Sequence, residues 1–326
     1  MTRAAIWLLA AGVALFIGLL AWHGVAAVFS TLALVGWGLV LVALFHLVPL
    51  ALDAVAIRVL FDESVPHGSM RDALLARWVG ESANSLMPAG QIGGPVLMAR
   101  YLVRRGMRIE DSAAAITVST TFQAVAQIVF ALVGVLVIAA QTQGVSQHTL
   151  LESSLLASAF LALQVGGFYL VQRRGVFGRL ARAGTRFSGK RNWSQWVVHA
   201  EAIDLALQRT YARSGRVTAT FALSLAGWLV GTGEVYWILL LLGHPVTWGS
   251  ALVLESLGQA IRGAAFAIPG ALGVQEGGYL LLAPLAGLPA DTALALSLAK
   301  RAREILLGLP GLLYLHRSQA ARQAFL

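Results

Sequence analysis

Long hydrophobic stretches alternate along the chain with short polar connections. A membrane-spanning helix needs about 20 mostly apolar residues. Six stretches meet or approach this length: residues 6–22, 31–55, 113–140, 150–171, 217–242 and 291–315. The pattern predicts an all-α polytopic membrane protein with about six full transmembrane helices, forming a single integral membrane domain over residues 1–326. Arg3 followed by an apolar core is also typical of a cleaved signal peptide, and this alternative stays open for the first stretch.

Two further segments are too polar to span a bilayer simply and too apolar to be loops: Arg77–Arg100 and Ser250–Ala283. Each contains a proline where a helix would break, Pro88 in the first segment and Pro269 in the second, with Gly273 close behind. We interpret both segments as re-entrant broken-helix hairpins, since paired broken helices mark the binding site in many transporters. The alternative is two short kinked spans in each segment, because proline and glycine are tolerated in membrane helices.

Composition supports a membrane protein and excludes several other classes. The chain is 58% hydrophobic and 12% charged, whereas soluble domains carry about 25% charged residues. It contains no cysteine, which excludes disulfides, thiolate catalysis and cysteine-based metal sites. The formal net charge of +9 comes from Lys and Arg beside the apolar stretches, where such residues act as topology signals and contact anionic lipid. We therefore expect no nucleic-acid partner.

The distribution of Lys and Arg between the connections predicts the orientation in the membrane. Residues 23–30, 141–148 and 243–249 carry no Lys or Arg, whereas the connection 173–216 is strongly basic. The positive-inside rule places basic connections in the cytoplasm. We therefore expect both termini and this connection on the cytoplasmic side of a bacterial inner membrane. The basic connection also contains a predicted amphipathic helix, residues 191–213, with tryptophans at the membrane interface.

The same order of elements occurs twice along the chain. A helix, a broken hairpin and a second helix follow one another in the first half (about 31–172) and again in the second half (about 217–316). Pro88 and Pro269 are 181 positions apart (269 − 88). The charge pattern places the first hairpin on the cytoplasmic side and the second on the opposite side, which predicts an inverted-topology repeat. Half-helices of about ten residues reach about 15 Å, so the two hairpins should meet near the bilayer centre.

The last hydrophobic stretch carries four charged residues within five positions: Lys300, Arg301, Arg303 and Glu304. A charge at the bilayer centre costs roughly 2.5–3.5 kcal/mol on insertion scales, so these side chains must face protein, water or an anionic ligand. An ion pair between Lys300 and Glu304, four residues apart on a helix, would only stabilise the bundle. That pair leaves Arg301 and Arg303 without partners, so we favour a net-positive buried cluster that binds a lipid phosphate.

The two hairpins supply further candidate substrate-binding residues. Asparagine and glutamine can donate and accept hydrogen bonds, which suits phosphate, sugar or hydroxyl groups, and glycine lets a headgroup approach the backbone closely. The candidates are Asn84, Gln91, Gly93, Gly94 and Arg100 in the first hairpin, and Arg262, Gln275 and Glu276 in the second. The amides of the first hairpin serve equally well to bind backbone groups freed by Pro88. We expect no cofactor, no metal ligand and no catalytic residue, since His46 and Asp53 are too isolated to argue from.

Two motifs give the chain a family resemblance. Residues 84–94, NSLMPAGQIGG, and residues 268–276, IPGALGVQE, resemble the lysylphosphatidylglycerol synthase transmembrane-region family. Within it, the chain is most similar to the membrane proteins associated with hopanoid biosynthesis. The resemblance implies a flippase-like domain that moves polar lipids between leaflets. Pro95 departs from the family pattern, in which an acid often follows the two glycines, so the resemblance does not fix the cargo.

Together these features predict a lipid transporter of the bacterial inner membrane, in which a headgroup passes along a polar cavity while the tails stay in lipid. Membrane lipids with a polar or anionic headgroup are the expected partners, and enzymes of lipid biosynthesis are further candidates. The sequence contains no Walker-type nucleotide-binding loop, so a gradient or another protein would supply the energy. The alternative is a membrane enzyme or an accessory factor of lipid or hopanoid biosynthesis without transport activity.

Overall fold

The computed structural model describes residues 32–61, 68–87, 90–141, 193–265 and 268–323, together with isolated positions between 14 and 30 and between 159 and 170. In this part of the chain the structure is all-helical and contains no strand. Its α-helices are α1 (Gly38–Val59), α2 (Met70–Leu86), α3 (Gly90–Arg104), α4 (Ile109–Gln141), α5 (Trp193–Ala212), α6 (Ser214–Leu241), α7 (Trp248–Ala264), α8 (Val274–Leu282) and α9 (Ala290–Gln323). Two short 3₁₀ turns, Pro269–Ala271 and Ala283–Ala286, flank α8. The all-α fold class expected from the sequence is confirmed.

Three of these helices are long and apolar enough to cross a membrane. They are α1, the segment Ile109–Ala140 of α4, and α6, with mean hydropathy of 2.3, 2.4 and 1.4. Each coincides within several residues with one of the predicted stretches. The predicted spans 6–22 and 150–171 fall largely outside the described residues, and the predicted span 291–315 lies within α9, whose charged residues set it apart from the three apolar helices. The chain is therefore a helical membrane protein.

Local sequence signals fix where several helices begin. Ser69 caps α2: its hydroxyl accepts a hydrogen bond from the backbone N–H of Asp72 at 3.1 Å, and the Asp72 carboxylate accepts one from the backbone N–H of Ser69. Thr247 caps α7 by accepting from the backbone N–H three residues on, at 3.2 Å. Such caps satisfy donors that the first turn of a helix leaves free. Gly106 precedes α4 and Gly287 precedes α9, both at positive φ (100° and 64°), which glycine adopts without strain.

Helices α1 and α6 form an antiparallel pair that joins the two halves of the chain. Residues with increasing numbers along α1 contact residues with decreasing numbers along α6. The packed pairs are Gly38 with Leu241, Phe45 with Gly233, Ala56 with Thr220, and Phe61 with Arg216. Glycine allows this close approach, because a Cβ atom at Gly233 would lie 2.6 Å from the ring of Phe45.

Helical hairpins lie at both predicted broken segments. In the first hairpin, α2 and α3 pack antiparallel, and the side chain of Asn84 accepts a hydrogen bond from the backbone N–H of Gly94 at 2.9 Å. In the second hairpin, α7 and α8 pack antiparallel. The four arms have 17, 15, 17 and nine residues, so three of them are longer than the predicted half-helices. Pro88 lies outside the described residues, whereas Pro269 begins the 3₁₀ turn of the second hairpin.

The tips of the two hairpins meet inside the bundle. The 3₁₀ turn of the second hairpin packs against α2 and α3, and a Cβ atom at Gly270 would lie 3.4 Å from the backbone carbonyl of Ser85. Each hairpin also packs against the last helix of the other half, α2 against α9 and α7 against α4. Between α2 and α9, the indole N–H of Trp78 donates to the backbone carbonyl of Leu307 at 2.9 Å.

Two apolar cores lie at different heights along α1. The first core contains Ile57, near the end of α1, with residues of α2 to α5. The second core contains Val42, near the start of α1, with residues of α6 to α9. The predicted amphipathic helix is α5, which contributes the buried Leu207 to the first core. His46 and Asp53 of α1 lie between these two heights.

Candidate functional site

A layer of charged side chains separates the two apolar cores, and we call it the ionic layer. Its carboxylates are Asp53, Glu81, Glu234, Glu255, Glu276 and Glu304, its cations are Arg77, Arg262, Lys300, Arg301 and Arg303, and His46 completes it. At 1.5 Å per residue, His46 lies about 12 Å from the start of α1 and Asp53 about 9 Å from its end. The ionic layer therefore crosses the middle of the bundle.

A cavity of about 240 Å³ opens within the ionic layer. Both halves of the chain line it. Its charged lining residues are His46, Asp53, Arg77, Glu81, Glu234, Glu255, Arg262, Arg303 and Glu304, and its neutral polar ones include Asn84, Gln123 and Gln259. A polar space of this size has room for several water molecules or a small polar group.

On the side of α2, the cavity wall is built around Asp53. The guanidinium of Arg77 lies 2.8 Å from the Asp53 carboxylate. The side-chain amide of Gln123, on α4, donates to the same oxygen at 2.6 Å. Arg77 also approaches Glu81, one helical turn away, at 3.5 Å. Three helices are thus linked through one carboxylate of α1.

At the centre of the cavity wall, His46 lies between two carboxylates. Its Nε2 is 2.7 Å from Glu81 on α2, and its Nδ1 is 2.8 Å from Glu234 on α6. Arg303, on α9, approaches both carboxylates as well, with its Nε 3.1 Å from Glu234 and its Nη1 3.4 Å from Glu81. Four helices therefore meet at two shared carboxylates.

Towards α7, the charges of α9 are matched by acids and amides of the second hairpin. Lys300 Nζ lies 2.5 Å from Glu255, which also accepts from Gln259 at 2.9 Å. Arg262 bonds to Glu304, and this contact joins α7 directly to α9. Lys300 and Glu304 are thus each bound by α7, and the alternative in which these two residues pair with each other is not the arrangement found.

Arg301 and Glu276 hold the turn of the second hairpin rather than lining the cavity. Arg301 donates to Glu276 at 2.7 Å and to the backbone carbonyl of Gly270 at 2.9 Å. Glu276 accepts from the backbone N–H of Gly273 at 2.8 Å and from the hydroxyl of Ser297 at 3.1 Å. A buried carboxylate with four donors is well satisfied, so this pair shapes the hairpin tip.

The ionic layer is close to electrically balanced. In the part of the chain that the structure describes, it contains six carboxylates and five Lys or Arg side chains, with His46 as the remaining titratable group. The expected net-positive cluster is therefore wrong. That expectation counted the charges of α9 and missed the carboxylates that α1, α2 and α6 bring to the same place. Lys300, Arg303 and Glu304 are 1%, 4% and 5% exposed, so all three face protein rather than lipid.

The structure distributes the sequence-predicted site residues over several roles. Four of them line the cavity: Asn84, Arg262, Arg303 and Glu304. Lys300, Arg301, Gln275 and Glu276 lie in or beside the ionic layer, where they bond to other side chains. The amide of Asn84 bonds the backbone of α3, so it closes the hairpin as well as facing the cavity.

The remaining predicted residues lie elsewhere or outside the described part. Gly94 packs where a Cβ atom would overlap Asn84 and the backbone of Gly80, so it serves hairpin packing, and Gly93 precedes it in α3. Arg100 is exposed on α3 and does not line the cavity. The side chain of Gln91 is outside the residues that the structure describes.

Sequence reasoning missed much of the ionic layer. The missed residues are His46, Asp53, Arg77, Glu81, Gln123, Glu234 and Gln259. A signal was available, because the 181-residue offset between the two prolines also relates Asp53 to Glu234 (234 − 53) and Gln123 to Glu304 (304 − 123). Polar residues at equivalent positions of two apolar helices are costly in lipid, so the offset could have found them.

The carboxylates of the ionic layer are paired with Lys and Arg side chains. Within the described ranges, no group of three or more His, Cys, Asp or Glu side chains is placed to hold a metal ion. The carboxylates bond to Arg and Lys instead, and such pairs occupy the oxygens that a metal would need.

Comparison with known proteins gives one match. The family model described as lysylphosphatidylglycerol synthase TM region matches residues 9–311. The matched range contains both hairpins and every residue of the ionic layer. No curated protein and no solved structure matches the chain.

Proposed function

The chain belongs to the lysylphosphatidylglycerol synthase transmembrane-region family, and on that premise we propose that it is a lipid transporter rather than an enzyme. It moves a polar lipid, a hopanoid or a phospholipid, between the leaflets of the bacterial inner membrane. The observation that carries the proposal is the charged cavity in the middle of the bundle. The hopanoid-associated branch remains our assignment from the two hairpin motifs.

A purely structural role accounts poorly for this cavity. Charged groups inside a membrane protein are expensive, and those that remain generally mark the path of a substrate or an ion. A transporter needs such a place, because a headgroup must leave water and cross the hydrocarbon region. Binding sites of transporters commonly lie near the midplane, between two repeats and beside broken helices. The cavity is lined by residues of both halves of the chain and of both hairpins, which supports the proposal.

We further propose that the two halves form an inverted-topology repeat. One offset of 181 residues relates the first residue of α4 to the first residue of α9, Ile109 to Ala290, and the left-handed Gly106 to Gly287. The packing is also equivalent between the halves. The first arm of the first hairpin, α2, packs against α9, and the first arm of the second hairpin, α7, packs against α4. The antiparallel pair of α1 and α6 requires that the equivalent helices run in opposite directions. These relations support an in-plane two-fold axis.

The orientation follows from the connections. Residues 243–247, between α6 and α7, carry no Lys or Arg, whereas Arg104, Arg105 and Arg108 cluster between α3 and α4. We place residues 243–247 outside the cell and the arginine cluster in the cytoplasm, with both termini cytoplasmic. The first hairpin then enters from the cytoplasm and the second from the opposite side. The tips meet at the ionic layer, where a headgroup would change sides.

Leaflet exchange in reconstituted vesicles tests this function. The purified protein should accelerate exchange of fluorescent phospholipids or hopanoid lipids between leaflets. Arg77→Gln leaves Asp53 without its charged partner at the cavity wall. This variant should lower the exchange rate at least about tenfold, which corresponds to roughly 1.4 kcal/mol of barrier. Arg100→Gln is the matched control, because Arg100 is exposed and lies away from the cavity, and it should keep the parent rate.

A second variant separates transport from folding. Ser85 lines the cavity, and the chain contains no cysteine, so Ser85→Cys introduces a single thiol there. This protein should transport before treatment and stop after reaction with a bulky polar thiol reagent. Continued exchange in fully labelled protein would show that the cavity is not the lipid path. Conversion of a lipid precursor by the purified parent would instead support the enzyme alternative, and absence of both activities would favour the accessory role.

A further inference from the structure

His46 has two carboxylate neighbours, one at each ring nitrogen. Nε2 lies 2.7 Å from Glu81 and Nδ1 lies 2.8 Å from Glu234. A neutral imidazole carries one N–H and can donate to one of them, whereas an ionised carboxylate only accepts. Both contacts are hydrogen bonds only when an additional proton is present. The distances between heavy atoms therefore point to a proton shared by these three side chains.

Arg303 does not remove the need for that proton. Its Nη1 lies 3.1 Å from His46 Nε2 and could donate to a neutral ring. In that arrangement, however, Nε2 would direct a lone pair at the Glu81 oxygen only 2.7 Å away. Arg303 has other acceptors, since it reaches Glu234 at 3.1 Å and Glu81 at 3.4 Å. The shorter contact to Glu81 decides in favour of the protonated ring.

The charges around His46 lead to the same conclusion. Its own helix α1 contributes Asp53, α2 contributes Arg77 and Glu81, α6 contributes Glu234, and α9 contributes Lys300, Arg303 and Glu304. In the described ionic layer as a whole, six carboxylates face five Lys or Arg side chains. One negative charge is left uncompensated if the histidine is neutral, and uncompensated charge is costly away from bulk water. One proton on His46 completes the balance.

We propose that His46, Glu81 and Glu234 form a binding site for one exchangeable proton, and that this proton is the coupling ion of transport. The second part rests on the proposed function. The site faces the cavity, so water can deliver the proton to it and remove it. Glu81 belongs to the first hairpin and Glu234 to the second half, so the bound proton ties the two halves together. Loss of the proton to cavity water removes the histidine N–H from one of the two carboxylates, which weakens the link between the halves and favours their rearrangement.

The protonation state can be measured without any transport. In ¹⁵N-imidazole NMR of the purified parent, the chain's seven histidines give separate signals, and His46 is the one missing from His46→Gln. At about pH 7.5 the His46 ring should be doubly protonated. Glu81→Gln removes one acceptor and should shift the His46 titration to lower pH. It also tests the site if His46→Gln fails to fold. A neutral His46 in the parent at about pH 7.5, or no shift in Glu81→Gln, would overturn the proton site.

Coupling is tested in the vesicles. Parent exchange should rise by about tenfold between about pH 7.5 and about pH 9.5, as the proton is lost, and a pH gradient should drive lipid into one leaflet. His46→Gln should lose both responses, and His316→Gln, the same change at an exposed position, should keep both. A lipid exchange rate of the parent that does not change with pH would overturn the coupling of transport to the proton, but it would not contradict lipid transport itself. A parent that never exchanges lipid would overturn the proposed function and the coupling together, and the NMR result would then decide the proton site alone.

Discussion

Each buried charge of the ionic layer is held by several partners at once. Lys300 lies 2.5 Å from Glu255, and Glu255 also accepts hydrogen bonds from Gln259 and Tyr279. Desolvation makes such a pair a poor source of net stability, but removing one member leaves the other charge buried and unpaired. The stability of the protein therefore depends on whether both charges of the pair are present. A residue of this layer cannot be judged by its own contacts alone.

The pair Lys300–Glu255 gives a prediction at this scale. Lys300→Met leaves the Glu255 carboxylate uncompensated and should lower the free energy of unfolding in detergent by about 3–5 kcal/mol. The double variant Lys300→Met/Glu255→Gln removes both charges and keeps an acceptor for Gln259. It should be clearly more stable than the single variant. A double-mutant cycle on unfolding measures the difference, and additive losses would show that the two charges act independently.

Residues of the ionic layer could be predicted from sequence only where neighbouring positions or the 181-residue offset carry a signal. The four charges of α9 fall within five positions, so their burial and their need for partners were predictable. His46 and Glu234 are 188 positions apart, and nothing in the sequence near either residue indicates the other. Each is a polar residue in a largely apolar helix, and such residues are usually bonded to a neighbouring helix. The partner is a property of helix packing, which the sequence pattern does not specify.

At the scale of elements, hydropathy was a good guide to helices and a poor guide to hairpins. The predicted stretches 31–55, 113–140 and 217–242 correspond to α1, α4 and α6, because only long apolar helices suit the bilayer. Pro269 begins the 3₁₀ turn of the second hairpin, and proline commonly ends a helix, whereas Pro88 lies outside the described residues. Three of the four hairpin arms are longer than the predicted half-helices. The outer turns of these arms carry polar residues and extend beyond the apolar part of each hairpin. The prediction counted only the residues needed to reach the bilayer centre, so it did not include these turns.

The contact between α1 and α6 depends on small residues, and two neighbouring glycines test it. A Cβ atom at Gly233 would lie 2.6 Å from the ring of Phe45, whereas a Cβ atom at Gly231 has no atom within 4 Å. Gly233→Ala should therefore destabilise the protein by about 1–3 kcal/mol through overpacking. Gly231→Ala should be neutral, or stabilising by about 0.5–1 kcal/mol, because alanine favours helix. Thermal unfolding of both variants measures these changes in stability. Equal unfolding temperatures for the two variants would contradict the close packing of α1 and α6 at Gly233.

At the scale of the whole molecule, the arrangement explains how a charged layer survives inside a membrane protein. One apolar core is built mainly from α2 to α5 and the other mainly from α6 to α9, and the ionic layer lies between them. The hairpins bring polar residues to the middle without placing them against lipid. Because the charges pair between halves, any rearrangement of the halves must also rearrange charge. This links the proton of His46 to the proposed movement of lipid.

The proposed inverted repeat makes a prediction about the two faces of the membrane. Met70 begins α2 and Trp248 begins α7, and both are exposed, at 38% and 51%. If equivalent helices run in opposite directions, these two positions face opposite compartments. A membrane-impermeant thiol reagent should label Met70→Cys only from the cytoplasmic side and Trp248→Cys only from the other side. The parent takes no label, since it has no cysteine. Labelling of both positions from one side would exclude the inverted arrangement, because the equivalent helices α2 and α7 would then begin in the same compartment.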